Sequence, residues 1–138
     1  TCNEFWWCLD NVAKGLWREE LLYVMDMIHL YTRPMLTRIL EWKIGRDNNF
    51  SVSVGKSAKY MKRYLPEETY KRYLLTYSQA ETEAVWDAVF IMCDLFRQTE
   101  EELAEKMNFH FDAAEADNCR AYLEHVRKLP ADAREIYE

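Results

Sequence analysis

Residues 81–107 read ETEAVWDAVFIMCDLFRQTEEELAEKM, and their pattern decides the fold class. Val85, Ala88, Val89, Met92, Phe96, Thr99 and Leu103 recur at spacings of three and four, one stripe of a long amphipathic helix. Neither glycine nor proline interrupts the run. In the whole chain of 138 residues there are only three of each, which argues for helices joined by few turns.

Working outward, the same period returns. Asn3 is placed as an N-cap before EFWWCLDNVAK, and Gly15 is placed to end that first helix. A second helix is expected from near Leu16, with Trp17, Leu21, Val24, Met25 and Ile28 on one apolar face. Pro34 must kink it or open a new helix, MLTRILEWKI, ending at Gly45. GRDNNFSVSVG has turn chemistry and reads as a loop with a short extended piece. KSAKYMKRYL reads as a short basic helix, and Pro66 opens PEETYKRYLLTY. Beyond the long helix, Glu115 to Lys128 forms another, and LPADAREIYE a short terminal one. The expected architecture is one all-α domain over 1–138, an antiparallel helical bundle of five to six helices. A chain of this length buries about two-thirds of its unfolded surface and needs no staples.

The formal net charge is −6, which disfavours nucleic acid and anionic membranes as partners and suits a cationic small molecule. Cys2, Cys8, Cys93 and Cys119 form no C-x-x-C pair, so free thiols in a reducing, cytoplasmic setting are expected. No signal peptide and no run of 18 apolar residues is present. The first residue is Thr1 rather than Met, the mark of a piece of a longer protein.

Three features carry chemistry. LLYVMDMIHLY (21–31) is apolar or aromatic except for Asp26 and His29. A carboxylate flanked by apolar surface is partly desolvated, which raises its pKa toward that of a general base. Glu19, Asp26 and Arg33, seven apart, would share one stripe of a continuous helix. The competing reading is structural: Asp26 paired with Arg33 or Arg38. VGKS fails as a P-loop because position 50 is Phe where a glycine is required. The segment nevertheless clusters Lys56, Lys59, Lys62 and Arg63, either phosphate contacts or a solvated face. Trp6 and Trp7 point about 100° apart on a helix, so one can be core while the other stacks on a ligand. His29, His110 and His125 are scattered, and no metal site is proposed from them.

CNEFWWCLDNVAKGLWREELLYVMD, RPMLTRILEWKIG, SVSVGKSAKYMKRYLP, LLTYS and LPADAREIYE, in that order, resemble the C-terminal domain of aminoglycoside 6-adenylyltransferases, the streptomycin-modifying resistance enzymes. The resemblance covers essentially the whole chain. It implies a two-domain enzyme whose N-terminal nucleotidyltransferase domain carries a Gly-Ser motif and paired aspartates holding Mg2+. This chain has no Gly-Ser dipeptide and no D-x-D, so it would be the helical substrate-binding domain, inactive alone. The resemblance further implies that Asp26 takes the proton of the attacking streptomycin hydroxyl. Glu4, Glu19 and Glu20 would accept from the drug's guanidinium groups, and Trp6 or Trp7 would wall the sugar. Lys56 and Lys59 would reach the ATP triphosphate and Tyr77 the nucleotide, while Arg38 neutralises phosphate or orients Asp26. The alternative of a different class is a helical binding or assembly module without chemistry.

Overall fold

The computed structural model describes residues 2–135, and among them there is no strand. Helices α1 (Cys2–Trp17), α2 (Leu21–Met27), α3 (Arg33–Asp47), α4 (Met61–Tyr64), α5 (Glu67–Leu74), α6 (Thr82–Met107) and α7 (Ala113–Lys128) follow in order. A π-helical turn, Ile28–Thr32, joins α2 to α3 without a break, and α4 is a single turn. Counting α2–α3 as one long helix, the all-α bundle has the expected number of elements.

The stripe on 81–107 is buried at every expected position. Glu81 caps α6 by accepting from the Glu83 and Ala84 amides, and Asn108 ends it in the left-handed conformation. The core centres on this helix. Phe5 of α1 stacks on Phe96 with ring centroids 3.7 Å apart, and Trp6 meets Phe96 edge-on at 5.4 Å. Beside them α7 packs along α1, while α3 packs on α6.

Several sequence expectations are corrected. Gly15 does not end α1, which continues to Trp17, so the next helix starts at Leu21 rather than Leu16. The glycine serves close packing instead: a Cβ there would lie 2.7 Å from Val24 Cγ2 of α2. Helix α3 likewise runs past Gly45 to Asp47 because Phe50 folds back over that glycine, with its amide donating to the Gly45 carbonyl at 2.6 Å. The basic stretch is not one helix. Ser57 and Ala58 both adopt positive φ (56°), splitting it into a 3₁₀ turn (Lys56–Ala58) and α4. Pro130–Glu135 is turn rather than helix, with the Ala133 amide on the Pro130 carbonyl. The remainder of the expected terminal helix, 136–138, lies outside the described residues.

The join at Pro34 has a physical reason. Proline has no N–H to donate to the Leu30 carbonyl, and its ring crowds the preceding turn. The π turn widens the helix there, and the Arg33 amide donates to the carbonyl of Ile28, five residues back. Thr32 Oγ1 adds a bond to the Met27 carbonyl at 3.3 Å.

Charge clamps α3 to α6. Lys43, buried, donates to Asp47 (3.2 Å) and to Glu102 (2.9 Å), and Lys106 reaches both carboxylates. Burial alone would raise the two carboxyls, but the lysines outweigh it and hold both below the usual carboxylate range. A depressed carboxyl stabilises the fold above its unfolded pKa and loses that contribution as pH falls through the folded value. Glu102→Gln should therefore lower the urea midpoint at pH 7, and the gap to the parent should narrow as pH falls below the usual carboxylate range and through the depressed folded value. A gap that stays constant with pH would mean the clamp acts only through packing.

Candidate functional site

The long α2–π–α3 helix builds one wall of an open cleft of about 460 Å3. His29 comes from the π turn. Arg33, Thr37 and Arg38 come from α3, Ser57 and Ala58 from the left-handed turn, and Tyr73 and Tyr77 from α5 and its exit. The floor is polar and tightly bonded. Arg33 Nη1 donates to Thr76 Oγ1 at 2.7 Å, and Nη2 to the Thr76 carbonyl at 2.9 Å. Its guanidinium carbon stands 3.6 Å from the centre of the Tyr77 ring. The Thr37 and Tyr73 hydroxyls pair at 2.9 Å.

Electrostatics follow from this packing. Burial lowers the His29 pKa and Arg33 lowers it further, against the opposing pull of Asp26, so the imidazole is neutral near pH 7. Burial and the neighbouring Tyr73 raise the Tyr77 phenol despite Arg33. An imidazole that can accept a proton therefore sits beside two arginines that can meet an anion.

The residues named from sequence divide into three places. Arg38 and Tyr77 line this cleft, and exposed Lys56 and Lys59 flank the Ser57–Ala58 turn that closes it. Asp26 lies one turn before His29 and is exposed, so the desolvation expected of it is absent in this chain alone. Nor does it form an ion pair with either arginine: Arg33 is bonded to Thr76, and Arg38 lies in the cleft without a bond to Asp26. The Glu19–Asp26–Arg33 stripe does not exist. Glu19 lies in the α1–α2 connection at φ 58°, and the π turn shifts Arg33 out of register.

Glu4, Trp6 and Trp7 stand at the start of α1, next to a groove against α7 that shares no lining residue with the cleft. The two indoles part as their spacing requires. Trp6 is core, its Nε1 donating to buried Glu100 at 3.4 Å, whereas Trp7 is 71% exposed. Only Trp7 can therefore offer a full ring face to a ligand. Asp10 and Glu115 line the same groove, and burial raises both carboxyls. Glu20 is exposed in the α1–α2 connection, 3.8 Å from Arg18.

Sequence reasoning passed over His29, Thr37 and Tyr73, and it weighed Arg33 only as a counter-charge for Asp26. The available signal was the polar pair His29 and Arg33, one turn apart and following Asp26 along the same helix.

Among the described residues no three His, Cys, Asp or Glu side chains are placed together to hold a metal ion. No helix among them is long and apolar enough to cross a membrane.

A family model described as streptomycin adenylyltransferase matches residues 1–126. Two aminoglycoside 6-adenylyltransferases, from Campylobacter jejuni and Bacillus subtilis, are 36% and 34% identical over 110 residues. Each alignment covers 80% of this chain, but only 38% and 39% of those proteins. The crystal structure of an aminoglycoside 6-adenyltransferase from Bacillus subtilis superposes with a TM-score of 0.84 at 31% identity, covering 93% of this chain and 48% of that one. The chain thus spans less than half the length of the relatives it matches.

Proposed function

The chain belongs to the streptomycin adenylyltransferase family, and from that premise we propose that it is the C-terminal substrate-binding domain of an aminoglycoside 6-adenylyltransferase, which moves AMP from ATP to a streptomycin hydroxyl and so confers resistance. The observation that carries the reading is the cleft. Its cations and Tyr77 suit a nucleotide, and the turn bearing Lys56 and Lys59 suits the triphosphate. Asp26 lies at its edge, one helical turn from His29.

In this reading Asp26 accepts the proton as the drug's hydroxyl oxygen attacks the α-phosphorus, and pyrophosphate leaves with the electron pair of the broken P–O bond. Arg38, Lys56 and Lys59 hold the phosphates. Trp7 walls the sugar, and Glu4, Glu19 and Glu20 are the acceptors available to the drug's guanidinium groups. Trp6, being core, is left to the packing of α1 on α6. Magnesium would be held by an N-terminal nucleotidyltransferase domain.

The surface around Asp26 also favours a covering domain. Leu22 is 84% exposed, and Tyr23, Leu30 and Tyr31 are exposed on the same long helix. So much apolar area flanking one carboxylate is what an interdomain face presents. Closure over it would supply the dry surroundings that raise a carboxyl toward the pKa of a base. The four thiols are free, in keeping with a cytoplasmic enzyme.

The direct test is transfer of AMP by the full-length protein with ATP and Mg2+ across a panel of aminoglycosides. Streptomycin should be modified; no transfer to any member would leave only a binding module. In that protein Lys56→Ala or Lys59→Ala should weaken ATP binding about tenfold or more and spare streptomycin, as loss of a charge-assisted contact predicts. Unchanged ATP affinity in both variants would make the pair a solvated face.

A further inference from the structure

Two cations are buried among the described residues, and they are treated differently by the fold. Lys43 is answered by Asp47 and Glu102. Arg33, 7% exposed, has no carboxylate partner. Its two terminal nitrogens bond the hydroxyl and carbonyl of Thr76, both uncharged acceptors, and its Nε is buried with no partner at all. The Tyr77 ring, 3.6 Å from the guanidinium carbon, adds a cation–π contact. A buried charge costs free energy unless something compensates it. Thr76 and Tyr77 compensate it in part, but among the described residues no negative charge is paired with it. The π turn precedes Arg33, and Thr76 holds its guanidinium by two acceptors, the side-chain hydroxyl and the backbone carbonyl.

The position is informative because Arg33 lines the cleft. Thr37, Arg38 and Ser57 surround it with donors and a second positive charge. Glu41 lines the rim and Asp26 lies a turn beyond His29, but neither forms an ion pair with Arg33. The cleft is therefore positive at its floor and incomplete without an anion.

We propose that Arg33 is the buried charge of an anion site in this cleft, and that the polyphosphate of the nucleotide is its missing counter-ion. The proposal rests on the nucleotide reading of the cleft and adds a residue to it. Arg33 draws the anion by its unpaired charge, from a position fixed by Thr76 and Tyr77. Inorganic tripolyphosphate, which carries the charge without the base, and adenosine, which carries the base without the charge, separate the two contributions.

The experiment is titration of the full-length protein with ATP, tripolyphosphate and adenosine, in the parent and in Arg33→Met. The variant keeps most of the stem volume and removes the charge. ATP and tripolyphosphate should each bind about tenfold or more weaker to it, with adenosine unchanged. Arg33→Lys, which retains the charge but not the planar fork, should recover most of the loss and serves where the Met variant fails to fold. Equal weakening of ATP and adenosine would overturn the proposal, because Arg33 would then act only by placing Tyr77. So would tripolyphosphate and ATP binding that Arg33→Met leaves intact. If the parent binds tripolyphosphate but not ATP, the nucleotide reading falls and the anion site stands. A parent that binds neither ends both.

Discussion

Asp26→Asn in the full-length protein should cut turnover by about 10²–10⁴-fold, the usual worth of a general base, while the melting temperature stays that of the parent. The second half of this expectation comes from the fold. Asp26 is exposed, and among the described residues it makes no ion pair or hydrogen bond that an amide would forfeit. The arginine that could have been its structural partner is committed to Thr76. An effect on rate without an effect on stability is thus the signature of a proton acceptor. Both ligands should still bind, because Asn keeps the shape of the side chain. Single-turnover rate and melting temperature measured on one sample check the pair of outcomes. A variant that turns over normally would move the base elsewhere. His29, neutral and one turn away, would then be the first residue to examine.

Phe96→Ala should destabilise the domain by about 3–5 kcal/mol. Phe96 is fully buried at the centre of α6, stacked on Phe5 and touched edge-on by Trp6. Truncation removes the ring that ties α1 to the long helix and leaves a cavity that rigid neighbours cannot fill. Set against a typical total of about 5–15 kcal/mol, that is a large share. Urea unfolding followed by tryptophan fluorescence measures it directly, since Trp6 lies against the same ring. A loss below about 1 kcal/mol would mean that the core relaxes into the gap.

Much of the fold was legible because its longest helix carries its own punctuation. Glu81 and Asn108 bracket α6, and the stripe between them needs no tertiary information. The errors have one source: residues whose own preference was overruled by the way the chain packs or bonds around them. Gly15 reads as a helix stop, but it stays helical because α2 crosses too closely for a Cβ. Ser57 and Ala58 have no sequence reason for positive φ, and their turn is fixed by bonds from Ala58 to Gly55 and from Tyr60 to Val54. A search for a period of 3.6 cannot find a π turn, so the register change before Arg33 was invisible. At the site, Asp26 stood out because a charge inside an apolar run is visible in one dimension. Arg33 did not, because its meaning depends on Thr76 and Tyr77, more than forty residues away.

The π turn has a mechanical consequence. On its N-terminal side α2 leans on α1, and on its C-terminal side α3 leans on α6. The widened turn between them, followed by a proline that donates no backbone bond, is the one departure from α-helical bonding in an otherwise continuous rod. Asp26 rides on the first half, Arg33 and Arg38 on the second. A few degrees of bend at this joint would alter the spacing between the carboxylate and the cleft cations, so the two roles proposed for them would respond together to one change of helix shape.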